Sequence, residues 1–317
     1  MSLDEADLRE EPADPATASP VTRAVGTDAG AWAGRSWRDS ALDGLRRRGR
    51  GLRRPAVVVP AAILALIVLA CFLGPAVLGL PSPATGNLED YLLPIGSPGH
   101  PLGTNALGND MLAQLLVGGQ ISILVGVGAT LIGLVLGVAI GMIAGYRQRV
   151  VGATLMRFMD VIFAFPDIIL ALAIAAYLGP SVVNTIWAIG FFSIAGFGRI
   201  ARAQTLKIVN LDYVVAARAS GRPAWRVLLG HVWPNISGPV LAYAFIAVGY
   251  AMMAEAALSF LGLGVPIPTP SWGNIIASSQ GYITVAPQLI LMPALLLFAT
   301  IASTNLLSDA LQTRRSS

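Results

Sequence analysis

Cysteine, histidine and charge are all scarce in this chain. The single cysteine, Cys71, excludes a disulfide framework and any thiolate-rich metal centre, because each needs a second thiol. Two histidines, His100 and His231, leave little for an imidazole-based metal site. Only 12% of the 317 residues are Asp, Glu, Lys or Arg, against about 25% in a soluble domain. An ordinary water-soluble enzyme is thereby excluded. No GxxxxGK[ST] run occurs, so no P-loop is present to cradle nucleotide phosphates. What fills the chain is apolar: 55% of residues are hydrophobic and the mean hydropathy is +0.69. The net charge of +4 comes from Lys and Arg gathered in a few connections, which points to one side of a membrane and not to nucleic acid.

Residues 1–54 are polar, acidic first (Asp4, Glu5, Asp7, Glu10, Glu11, Asp14) and then basic (Arg46, Arg47, Arg48, Arg50, Arg53, Arg54). Without apolar periodicity they are expected to form a disordered tail. The basic cluster stands some fifty residues in, so no cleavable signal peptide is expected and the first apolar run is retained. Six apolar stretches, near 57–80, 119–145, 157–178, 183–203, 235–262 and 286–308, are long enough to cross a hydrocarbon core, which takes roughly 20 helical residues. The expected fold is all-α and polytopic. Gly126, Gly128, Gly133, Gly137 and Gly141 crowd the second stretch, a spacing that allows close helix approach in lipid. The connections at 81–118, 179–182 and 263–285 carry no Lys or Arg, whereas Arg147, Arg149 and Arg157 follow the second span and Arg314 and Arg315 end the chain. The excess of Lys and Arg on cytoplasmic flanks then places both termini in the cytoplasm. The chain divides into the tail 1–54, a first helix with its outward loop at 55–118, a five-helix core at 119–312, and a short end at 313–317.

The longest basic connection, Gly198 to Asn235, is patterned as two short helices. Asn210 or Asp212 is placed to cap the first, Gly221 to end it in a left-handed conformation, and Pro223 to open the second. The second is expected to stop before Pro234. A helix this short is marginal alone in water, so it must dock. Ala216, Ala217 and Ala219 would let a partner backbone come close, with Arg218, Arg222 and Arg226 around the contact. An interfacial loop held to anionic lipid by its arginines accounts for the same residues.

The positions Val215, Ala216, Ala217, Gly221 and Pro234 resemble the EAA loop of permease subunits of binding-protein-dependent ABC importers. There a Glu-Ala-Ala triplet is followed after three residues by Gly and further on by Pro. Val215 departs from that pattern, because it replaces the acid. The stretches His100 to Gly126, Arg157 to Ile174 and Ala254 to Asn274 resemble the C-type permease of the dipeptide, oligopeptide and nickel group. Asn105 and Asn109 stand where that group often has Asp and Arg in GTDxxGRD. The resemblance covers roughly residues 55 to 312.

That resemblance implies a type I ABC importer permease of the cell membrane. Its partners would be a homologous B-type permease, one or two ATPases, an extracytoplasmic binding protein and the surrounding lipid. It implies no cofactor in this chain, with ATP and Mg²⁺ held by the ATPases. The segment 204–234, above all Asp212, Val215, Ala216, Ala217, Arg218, Gly221, Arg222 and Pro234, would couple to an ATPase. A weakened ATPase contact would follow from Val215, and an altered outward contact from the two asparagines. Peptide is the first expected substrate, with a nickel chelate or a glutathione-like compound behind it.

Acids at membrane depth are functional candidates. Asp160 is expected to pair with Arg157 on its own helix face. Asp167, after Pro166, is a path-lining candidate, facing either a peptide amino group or a hydrated cavity. Glu255 either faces the path or pairs inside the bundle. Pro266, Pro268 and Pro270 alternate in the outward loop, which favours an extended, stiff chain. With Trp272 they form either a docking surface for the binding protein or a rigid lid anchored at the headgroups. His100 reads as a loop residue without acidic company. Two other classes compete: a proton-coupled secondary carrier using Asp160, Asp167 or Glu255, and a non-transporting subunit of a larger membrane complex.

Overall fold

The computed structural model describes residues 55–313; the expected tail 1–54 and the C-terminal Arg314 and Arg315 lie outside the described residues. Among those described there is no strand, only isolated bridges pairing Ser97 with His100 and Thr104 with Asp110. The helices are α1 (Pro55–Val77), α2 (Met111–Tyr146), α3 (Val150–Phe163), α4 (Asp167–Leu178), α5 (Val182–Ile208), α6 (Asp212–Ala219), α7 (Ala224–Phe260), α8 (Trp272–Ser278) and α9 (Gln288–Thr313). Helices α1, α2, α5, α7 and α9 are each long and apolar enough to span a membrane, and α3 with α4 makes a sixth span broken by an 83° bend. The chain is therefore an all-α, multi-pass membrane protein.

Three boundaries differ from the sequence reading, each for a local reason. Helix α2 begins at Met111, not near 119, because Asp110 Oδ1 accepts the Ala113 N–H at 2.8 Å and fixes the first turn well before the apolar run. The third span starts at Val150 and breaks at 164–166, since Pro166 has no N–H to donate and disfavours the helical region at Phe165. Helix α7 begins at Ala224 and runs through Pro234 instead of stopping before it. Over Leu228–Val232 the helix widens to π geometry, and the Trp233 N–H bonds back to the Leu228 carbonyl. That wider turn places Pro234 in the first turn of the α-helical segment Trp233–Phe260, where a missing N–H is tolerated.

Helix α5 is the centre of the bundle. It runs parallel to the second half of α2, and the contact depends on glycine. Any Cβ at Gly137 would collide with the Ile194 carbonyl oxygen, and any at Gly141 with that of Gly198. The i, i+4 glycine pattern thus does what it implies, letting two backbones meet where lipid supplies no hydrophobic drive. Gly128 is the exception: a Cβ there would stand 3.2 Å from the Ile186 side chain, which has room to yield. Helix α7 packs antiparallel across α2, with Gly126 against Met252, while α1 crosses α2 at Cys71 and Gly119.

The chain alternation gives the bundle two unlike ends. One end gathers Arg147, Arg149, Lys207, Arg218, Arg222 and Arg226 in and beside its connections. The other, formed by 78–110, 179–181 and 261–287, has no Lys or Arg. We refer to them as the basic end and the bare end.

Candidate functional site

At the basic end, α6, a tight turn and the start of α7 form a helical hairpin. Leu211 is the residue at the N-cap, with ψ 143° and no side-chain cap bond. Asn210 and Asp212 therefore do not cap the helix; Asp212 is its first residue, where its charge suits the helix dipole. Gly221 has φ +73°, the left-handed conformation expected of it, and its N–H bonds to the Arg218 carbonyl at 3.1 Å. Pro223 stands one position outside α7. Val214 and Ala217 are buried, so Ala217 seats α6 on its own chain and is not open to a partner. The i, i+3 spacing of these two residues makes them the inward stripe.

What remains outward on α6 is Val215, 48% exposed, with Ala216, Arg218 and Ala219 beside it. Arg218 lies over the Tyr146 ring at 5.2 Å, tying α6 to the end of α2. Arg222 reaches His231 at 3.5 Å, and the His231 ring meets Tyr213 edge-on. Pro234 is exposed on α7 beyond the turn. The hairpin is thus braced from within, with a small-residue face left outward.

The bare end is organised around Glu255, which is fully buried in α7. Its carboxylate accepts hydroxyl bonds from Ser122 at 3.0 Å, Ser259 at 2.7 Å and Ser271 at 2.7 Å. Each serine hydroxyl donates to the carboxylate while its oxygen accepts a backbone N–H: Ser122 from Trp272, Ser259 from Val265 and Ser271 from Asn274. One carboxylate thus joins α2, α7, the 261–271 loop and α8. Of the two roles open to Glu255, pairing inside the bundle is the one that this geometry provides; enclosure removes it from the candidate path residues.

Trp272 is also fully buried, and its indole N–H bonds to the Leu115 carbonyl at 2.9 Å. It packs with Met111, Leu115, Met252 and Leu289, so it anchors α8 in the core and is neither a headgroup anchor nor a contact surface. A capping box formed by Ser271 and Asn274 starts α8. The loop before it is not extended, because the Thr269 N–H closes a turn onto the Pro266 carbonyl at 3.1 Å. Pro270 is buried, and the exposed tip is Pro266, Ile267 and Pro268, with Ile267 at 74%.

In the first bare-end loop His100 does have acidic company. Its Nδ1 is 2.8 Å from Asp110 and its Nε2 is 3.9 Å from Asp90. Asn105 accepts the Leu107 and Asn109 N–H groups and donates to Gln114, and Asn109 is buried. Both asparagines serve the loop's own turn rather than an outward contact.

Asp160 pairs with Arg199 at 2.8 Å, not with Arg157, because α5 brings the guanidinium across; Arg199 also stacks on Phe163 at 3.9 Å. Asp167 is the first residue of α4, bonded only to its own Ile168 N–H. It lines a narrow cleft with Ile189 and Phe192 of α5 and Tyr250, Ala254 and Leu258 of α7. The sequence reading missed the three serines. Ser259, one turn from Glu255, was within reach of an i, i+4 argument, whereas Ser122 and Ser271 meet Glu255 only through the fold.

Residues 137–317 match the family described as binding-protein-dependent transport system inner membrane component. The chain is 33% identical over 264 residues to the glutathione transport system permease protein GsiD of Pectobacterium atrosepticum, covering 83% of this chain and 87% of that protein. It is 38% identical over 211 residues to the di/tripeptide transport system permease protein DppC of Pseudomonas aeruginosa, covering 67% and 70%. The dipeptide permease DppC of Alkalihalophilus pseudofirmus is 34% identical over 213 residues, with the same coverage.

Proposed function

This chain belongs to the binding-protein-dependent transport system inner membrane components, and on that premise we propose that it is the permease of an ATP-driven importer of di- and oligopeptides in the cell membrane. The observation that carries the mechanism is the basic-end hairpin. Its inner stripe and the left-handed Gly221 hold α6 rigidly, and its outward face of Val215, Ala216 and Ala219 is left for another protein. An ATPase groove receives that face from the cytoplasm, with Asp212, Arg218 and Arg222 around it. Because α6 joins α5 to α7 through short turns, movement of an ATPase is passed to the two helices at the centre of the bundle. With no P-loop in the chain, ATP and Mg²⁺ belong to the ATPases.

The remaining assignments follow from the same reading. The basic end is cytoplasmic, by the distribution of Lys and Arg. The exposed Pro266–Ile267–Pro268 tip, held by the Ser271–Asn274 cap and Glu255, is the contact for an external binding protein. A second, homologous permease completes the path. A glutathione-like tripeptide is the second reading, favoured by the resemblance to GsiD. A proton-coupled carrier is left with only Asp167 of its three acids, because Glu255 is enclosed by hydroxyls and Asp160 is paired with Arg199.

Two measurements test this. Purification from native membranes in mild detergent should recover a second permease and ATPases, and peptide uptake should be blocked by vanadate and insensitive to an uncoupler. Recovery of the chain alone, with uptake collapsed by the uncoupler and not by vanadate, would refute the importer reading. The hairpin has its own prediction. Gly221→Val places a β-branched residue at φ +73°, so it should abolish uptake while leaving membrane insertion at the wild-type level; normal uptake would disprove the coupling role.

A further inference from the structure

The break between α3 and α4 is an anomaly for a membrane span. Ala164, Phe165 and Pro166 are non-helical and exposed, with Phe165 at 54%. Their level in the bundle follows from the residues that line the cleft with Asp167. Ile189 lies seven residues inside the bare end of α5, counted from Val182, and Tyr250 lies ten residues before the bare end of α7 at Phe260. At 1.5 Å per residue these are about 10 and 15 Å from the helix ends, well inside a hydrocarbon core of about 30 Å. Irregular backbone at that depth is tolerated only where it is covered by protein or lines a water-filled cavity.

Asp167 gives the second, independent observation. It is half-buried at the same level, and among the described residues it forms no ion pair with a Lys, Arg or His. An acid at membrane depth needs water or a cation. The aromatic rings of Phe192 and Tyr250 share its cleft, and ring faces also favour a cation.

We propose that the α3–α4 break forms a water-filled station in the translocation path, at which Asp167 binds the free α-ammonium group of a passing peptide. This rests on the permease reading and adds to it a residue and a substrate group. The Asp160–Arg199 pair, between α3 and α5, is already neutral and leaves Asp167 as the charge at the bend.

The test uses the assembled importer in proteoliposomes. Cys71 is 2% exposed and is the only cysteine, so Phe165→Cys supplies a single accessible thiol. A membrane-impermeant maleimide should label Phe165→Cys, and should not label Leu66→Cys on the outward face of α1, which is 69% exposed. Asp167→Asn should lower peptide uptake about tenfold, the order expected for one lost charge-assisted hydrogen bond. Asp167→Glu should restore most of the uptake, and the ATPases should copurify with both variants. No labelling of Phe165→Cys, at rest or during turnover, would overturn the water-filled station. Wild-type uptake by Asp167→Asn would overturn the ammonium site. A wild-type complex that imports no peptide would sink the peptide reading instead, while labelling would still decide whether the bend faces water.

Discussion

Glu255→Leu is expected to destabilise the bare end of the bundle by about 2–5 kcal/mol. The lower figure takes three side-chain bonds, one of them within α7, at the roughly 0.6 kcal/mol average for interhelical bonds in membrane proteins. The upper takes three stranded hydroxyl donors at about 1–3 kcal/mol each, reduced because a hydroxyl can rotate toward another acceptor. Ser122, Ser259 and Ser271 would all lose the acceptor that their geometry was built around, and the turns at Val265, Trp272 and Asn274 would lose their support in sequence. The effect should therefore centre on 261–278, read as faster proteolysis there and a lower Tm in detergent. Glu255→Gln should cost only about 1 kcal/mol. Its oxygen still receives Ser259 and Ser271, and its amide donates to Ser122, which leaves over the Ser122 hydroxyl hydrogen and the second amide hydrogen. Equal melting of wild type and Glu255→Leu would show that the hub does not hold the cap.

Gly141→Val is expected to damage the middle of the bundle, because what it strikes cannot move aside. A Cβ at Gly141 meets the Gly198 carbonyl oxygen and the Ala201 methyl on α5, and both belong to the helix at the centre of the bundle. Overpacking in a well-packed interior costs about 1–3 kcal/mol and sometimes more. Separating α2 from α5 would also undo the neighbouring contacts at Gly137 and Gly145. Expression should fall and the detergent-solubilised protein should aggregate. Gly281→Ala is the control: a Cβ there has no neighbour within 4 Å and its φ is not in the left-handed region, so it should stay within about 0.5 kcal/mol of wild type. If Gly141→Val accumulates and melts like Gly281→Ala, the close contact between α2 and α5 is not what holds the core.

Both effects concern residues that the sequence singled out to different degrees. The glycine run in α2 could be read because a repeat of small residues has one simple use in lipid, the close approach of backbones. Glu255 was visible as an acid in an apolar span, yet its role was open until Ser122, 133 positions away, was seen beside it. Trp272 is the opposite case. An aromatic flanked by prolines in an outward loop has the composition of a surface contact, and only the turn at Pro266–Thr269 shows that the chain folds it into the core.

The sequence by itself determined that the chain lives in lipid, crosses it about six times, carries its positive charge on one side and bears a structured basic connection. Each of these is a local property, set by hydropathy, charge and the chemistry of Gly and Pro within a few residues of one another. The tertiary structure alone decided that Arg199 and not Arg157 pairs with Asp160, that Ala217 faces inward, that the third span breaks by 83° and that α7 runs through Pro234. Partners distant in sequence meet only when helices pack. Pro166 breaks the third span, whereas Pro234 is carried in α7 behind a turn widened to π geometry.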